Sequence, residues 1–112
     1  MIVKEPSSLE DLKALLAEAG STLVVVDFYA SWCGPCRLMM PKFTKFADEF
    51  PDVIFSKMDI DEQKEAASHY QIEVMPTFVF IKDGKQIAVV KGKNEDEIRD
   101  IIMANKSANK AE

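Results

Sequence analysis

Histidine and tryptophan occur once each in the 112-residue sequence, and cysteine only twice. A structural zinc centre normally takes four ligands, and two cysteines with the distant His69 do not supply them. No apolar run approaches the ~20 residues that span a bilayer. Between Met1 and Gly20 there is no basic start followed by an apolar core, so no secretory signal is read there. A cytoplasmic protein is therefore expected, unless a leader has been removed. Basic residues are in the minority: 14 Lys and Arg against 19 Asp and Glu leave a net charge of −5, which opposes binding to phosphate backbones. Repeats and low-complexity stretches are also missing. Nucleic acid, metal and membrane are thus not expected as partners.

What is present is an ordinary globular composition, 47% apolar and 29% charged. The length suits one domain, read as residues 1–106, followed by a polar tail at 107–112. Ile2 and Val3 are read as the start of an edge strand. Leu9, Leu12, Leu15, Leu16 and Ala19 then recur at helical spacing, with Ser7 and Glu10 as a capping box and Gly20 as the stop. Leu23 to Tyr29 is nearly continuously apolar, as in a strand buried on both faces, and only Asp27 interrupts it. Cys36, Met39, Met40, Phe43, Phe46, Ala47 and Phe50 mark a second helix, which Pro41 should kink. Val53 to Asp59 reads as a strand, and Asp61 as the cap of a short helix running to Tyr70. Two strands, Thr77 to Lys82 and Ile87 to Lys91, flank an Asp83-Gly84 turn. Asn94 with Glu97 opens a last helix carrying Ile98, Ile101 and Ile102. The order βαβαβαββα implies an α/β fold, a mixed sheet with helices on both faces. Helix-linked strands are expected to run parallel, and the final hairpin to supply the antiparallel neighbours. Met39, Met40, Met58 and Met103 are read as core filler, and His69 as a surface residue.

The chemistry is carried by Trp32-Cys33-Gly34-Pro35-Cys36, at the end of a buried strand and the start of a helix. Two residues between cysteines in a first helical turn bring their sulfurs within bridging range. A ring so small contributes little stability through loop entropy, so it suits opening and closing rather than stapling. At a helix N-terminus, unpaired N–H groups and the positive dipole end favour a thiolate on Cys33. Cys36, deeper in the helix, suits resolution of a mixed disulfide. Pro35 suits a first helical turn, where its missing N–H has no partner to lose. Asp27 stands among Val24, Val25, Val26 and Phe28, where an anion is costly to bury, so its pKa should be raised.

These residues resemble the thioredoxin family. Val25 through Cys36 is similar to the family's active-site segment, and Met75-Pro76-Thr77, Lys82-Asp83-Gly84 and Gly92 follow in the expected order. The resemblance runs from about Met1 to Asn105. It implies the thioredoxin fold, protein-disulfide reductase activity with no bound cofactor, and a role in electron transport and cell redox homeostasis. It also implies reduction by a thioredoxin reductase drawing on NADPH, disulfide-containing proteins as clients, and a monomer. By the same resemblance Cys33 attacks, Cys36 resolves, Asp27 assists proton removal from Cys36, and Lys57 lies near that acid. Pro76 would be cis, and Trp32, Met75, Pro76, Thr77 and Gly92 would receive the client. The chain departs from the family's pattern in places. Tyr29 stands where bacterial members often have tryptophan, Val74 where animal members often have cysteine, and Lys91 where an apolar residue is common. Regulation by further cysteines is thereby excluded. An oxidase or isomerase is disfavoured, since Gly34-Pro35 holds no histidine, and a glutaredoxin because Cys-Pro-Tyr-Cys is absent. A redox-switched binding module, with Trp32 in its clamp, is the rival from another class.

Overall fold

In the computed structural model, residues 2–107 are described; of the expected polar tail, residues 108–112 lie outside them. The element order is β1 (Val3–Lys4), α1 (Leu9–Ala19), β2 (Val24–Tyr29), α2 (Gly34–Glu49), β3 (Ile54–Asp59), α3 (Lys64–His69), β4 (Thr77–Lys82), β5 (Lys85–Lys91) and α4 (Glu95–Asn105). This is the order expected. The five strands form one sheet in the order β1-β3-β2-β4-β5.

Strand alternation splits the core into two layers. Leu23 and Val25 face one side together with Phe55, Phe78, Phe80 and Val90, and are covered by Met39, Phe43 and Phe46 of α2 and by Ile98 and Ile102 of α4. Val24, Val26 and Phe28 face the other side with Met58, Val79 and Ile81, beneath Leu9 and Leu12 of α1 and Ala66 of α3. β2 is therefore covered on both faces, as its apolar run requires. Phe43 sits at the middle of the α2 layer, edge-on to Phe55 (centroids 5.4 Å apart) and tilted against Phe78 (5.6 Å).

The strands do not all run as expected. β1 and β2 are parallel to β3, but β4 is antiparallel to β2, although a helix links β3 to β4. The connection between them, residues 60–76, holds only one short helix. Six residues of α3 rise only about 9 Å, whereas a six-residue strand spans about 20 Å. α3 alone does not return the chain to the far end, and β4 starts at Thr77 opposite Phe28, beside the place where β3 ends. β5 then pairs antiparallel with β4, with a bulge at Phe80/Ile81.

Local signals mostly held. The β4–β5 turn places Asp83 and Gly84 at φ 54° and 74°, and Gly20 closes α1 at φ 57°. The Asn94 side chain accepts the Glu97 N–H at 3.1 Å and donates to the Glu97 carboxylate, as the sequence pattern implied. Pro41 lies inside a helix that runs unbroken from Gly34 to Glu49. Three expectations are corrected. Ser8, not Ser7, caps α1, accepting from the Asp11 N–H at 3.0 Å, while the Ser7 hydroxyl bonds the Asp11 carboxylate. Asp61 does not cap α3, whose N-cap position is Gln63 with no side-chain bond. Met103 is 56% exposed and so is not core, whereas Met39 and Met58 are buried and Met40 packs partly buried against the α2 layer.

Phe43→Ala should destabilise the protein by about 3–5 kcal/mol, because a fully buried ring with two aromatic neighbours leaves a cavity the sheet cannot close. Urea unfolding of the oxidised protein measures this, and a loss below about 1 kcal/mol would contradict a central place for Phe43.

Candidate active site

The dithiol lies where β2 gives way to α2. The Cys33 N–H bonds the Ala30 carbonyl at 3.1 Å, closing the turn, and Cys33 is the N-cap residue of α2. Pro35 follows within the first helical turn. The Cys36 N–H points at the Cys33 sulfur, 3.2 Å away, so an otherwise unpaired helix donor is aimed at the reactive atom. The two sulfurs are bonded to each other, with Cα atoms 5.3 Å apart. Cys33 retains 6% of its surface and Cys36 1%. The first cysteine is the more accessible.

Met75-Pro76 is a cis peptide, as the resemblance implied. The Cys33 sulfur lies 3.8 Å from the Met75 carbonyl oxygen, although 42 residues separate them. Ala30, Cys33 and Cys36 form a small buried cluster with Tyr29, Ile60 and Met75 packed on it. Gly92, at φ 86°, donates its N–H to the Pro76 carbonyl at 2.8 Å, which ties the end of β5 to the cis turn. Thr77 is buried, and its hydroxyl donates to the Val74 carbonyl at 2.6 Å, so it braces the turn from beneath. Trp32 is 63% exposed, and its Nε1 donates to Asp61 Oδ2 at 2.9 Å. Arg37 reaches back to the Ser31 carbonyl at 3.1 Å. The Trp32–Asp61 bond links residues 29 apart, and neither neighbourhood announces it; Asp61 holds the indole instead of capping α3.

Asp27 is fully buried, and neither carboxylate oxygen has a hydrogen-bond partner among the described residues. Its row across the sheet is Lys57 on β3 and Phe78 on β4. Alternation puts it on the face that α2 covers, with Val25. Burial pushes its pKa up to about 7, and the positive charge of Lys57 only partly offsets this. Lys57 itself pairs with Glu5 at 3.6 Å and lies over the Tyr29 ring. Glu5 had no signal in the sequence. Among the described residues, no group of three or more His, Cys, Asp or Glu is placed to hold a metal ion, and no helix is long and apolar enough to cross a membrane.

A dithiol at a strand-to-helix turn, opposed by a cis-proline and backed by a protonatable acid, defines a thiol–disulfide oxidoreductase. The Thioredoxin family model matches residues 6–104. The chain is 50% identical over 97 residues to a thioredoxin of Geodia cydonium, covering 86% of this chain and 92% of the relative. It is 42% identical over 101 residues to a thioredoxin of Gallus gallus, covering 90% and 96%. The crystal structure of Fasciola hepatica thioredoxin superimposes with a TM-score of 0.91 at 45% identity, over 93% of this chain and all of that one. The chain belongs to the thioredoxin family, and it reduces protein disulfides by dithiol exchange through Cys33 and Cys36.

The buried acid has a thermodynamic signature. Because folding raises the pKa of Asp27 from 3.8 to about 7, the native state holds a proton that the unfolded chain releases across this range. Stability is then full below about pH 4, falls as pH rises towards 7, and levels off above. The total loss should reach about 4 kcal/mol at ~1.4 kcal/mol per pH unit. Relative to Asp27→Asn, the wild type should show this slope in unfolding free energies measured from pH 4 to 8. Parallel curves would remove the buried titration.

Proposed function

We propose that Cys33 is the attacking cysteine and Cys36 the resolving one. The carrying observation is the Cys36 N–H aimed at the more accessible Cys33 sulfur at the start of a 16-residue helix. Donor and dipole together favour the thiolate form of this more accessible thiol. The Cys33 thiolate attacks one sulfur of a client disulfide; a Cys33–client bond forms, and the other client sulfur leaves as a thiolate. The Cys36 thiol then gives its proton to the Asp27 carboxylate and attacks the Cys33 sulfur. The Cys33–Cys36 bond forms, and the second client thiolate departs. Two electrons have passed to the client.

A pKa of about 7 suits Asp27 to accept a proton near neutral pH and release it again. Lys57, its neighbour across β2 and β3, would steady the carboxylate while it is charged. Trp32, Gly34 and Pro35 form the turn beside the attacking sulfur. The backbone at Met75, with Pro76 and Gly92, would meet an extended client segment through strand-like hydrogen bonds, and the buried Thr77 would hold that turn in place. The disulfide formed in each cycle would be reopened by a thioredoxin reductase using NADPH. Electron transport in the cytoplasm, by a monomeric domain of residues 1–106, completes the reading.

Cys36→Ser should accumulate a covalent complex with a disulfide-containing protein such as insulin, visible on a non-reducing gel and released by dithiothreitol. Prompt release would assign the resolving step elsewhere. Asp27→Asn should slow insulin reduction about tenfold or more at pH 7 and remove the inflection near that pH, since positioned bases typically contribute about 10²–10⁴-fold. An unchanged pH profile would take Asp27 out of proton transfer.

A further inference from the structure

Two lysines flank the glycine that closes the client platform. Lys91 ends β5 opposite Thr77, and Lys93 follows Gly92; both are exposed. The cations of the ion pairs found among described residues are Lys42, Lys57, Arg99 and Lys106, so neither flanking lysine is spent on a neighbouring carboxylate. Lys91 lines a hollow of about 240 Å³ with Gln71, Glu73, Thr77, Gln86 and Val89; Glu73 shares its rim without pairing to it. Gly92 between them presents bare backbone: a Cβ built there would meet nothing within 4 Å. Its N–H is fixed to Pro76, next to the Met75 carbonyl beside the Cys33 sulfur. A client segment laid on this platform therefore lies beside a backbone stretch that carries two exposed lysines with no ion-pair partner among the described residues. The surroundings of Trp32 are of the other sign. There Asp61 holds the Trp32 indole, and Asp59 and Glu62 stand beside it.

We propose that Lys91 and Lys93 form a cationic gate around Gly92 that favours client disulfides whose reactive cysteine is flanked by carboxylates. The inference rests on the platform proposed above and adds a preference to it. Without the gate, a chain of net charge −5 with an acidic lip at Trp32 would repel such clients during approach. With it, two positive charges offset that repulsion beside Gly92, against Glu73 and the acidic first turn of α4. The attraction acts between exposed groups, so it should affect encounter rate most and weaken as salt is raised.

The test uses two disulfide-linked peptides that differ only in carrying Asp or Lys at the positions flanking the reactive cysteine, with 2-hydroxyethyl disulfide as an uncharged reference. Reduction by the reduced full-length protein is followed at low and high salt. In Lys91→Glu/Lys93→Glu, the ratio of kcat/KM for the Asp peptide to that for the Lys peptide should fall about tenfold, as expected for reversing two exposed charges. High salt should shrink the difference. A ratio unchanged within about twofold, or both peptides slowed equally, would overturn the gate while leaving the reductase reading intact. If the wild type reduced neither the peptides nor hydroxyethyl disulfide, both would fall together.

Discussion

The geometry of the reactive end depends on β2 and β4 lying side by side and running in opposite directions. β2 delivers the chain to Cys33 at the edge where β4 begins, so the Met75-Pro76 turn and the dithiol meet. Their pairing is held by five register partners, Val24↔Ile81 to Phe28↔Thr77, and by apolar layers on both faces. A parallel β4 would have placed Pro76 at the far end of the sheet, with no site to form.

Much of this was legible because it is encoded locally. The alternation of β2, the helical spacing of Met39, Phe43 and Phe46, the Asp83-Gly84 turn and the Asn94–Glu97 cap each rest on residues within a turn or two of one another. The Cys33–Cys36 pair is legible for the same reason. What the pattern missed is set across the chain. The direction of β4 depends on which end of the sheet the chain re-enters, and no local motif marks that. Asp61 had an acceptor's chemistry, but the partner it found is the Trp32 indole, 29 residues away. Ser7 and Ser8 are both able to cap, and the choice fell to the frame in which Asp11 answers. The cis form of Pro76 came from family resemblance, since its neighbours in sequence do not distinguish it.

Asp27 shows how stability is exchanged for reactivity. A hydrocarbon at that position would suit the buried row shared with Phe78, and every other member of β2 but the partly buried Tyr29 is a buried hydrophobe. The carboxyl is tolerated because it can take up a proton, and that same property equips it for acid–base work. Lys57, partly exposed and shared with Glu5, tempers the effect without cancelling it.

The position of Cys36 has a consequence for electron exchange. It sits on the same helix as Met39, Phe43 and Phe46, whose side chains are locked into the sheet, while Cys33 is tethered through Ala30 and the end of β2. Both cysteines are therefore anchored to the sheet through the elements on either side of the turn, and the bond between them can be exchanged at the end of a fixed frame. Which way electrons flow through that frame is then decided by the difference between its own reduction potential and its partner's.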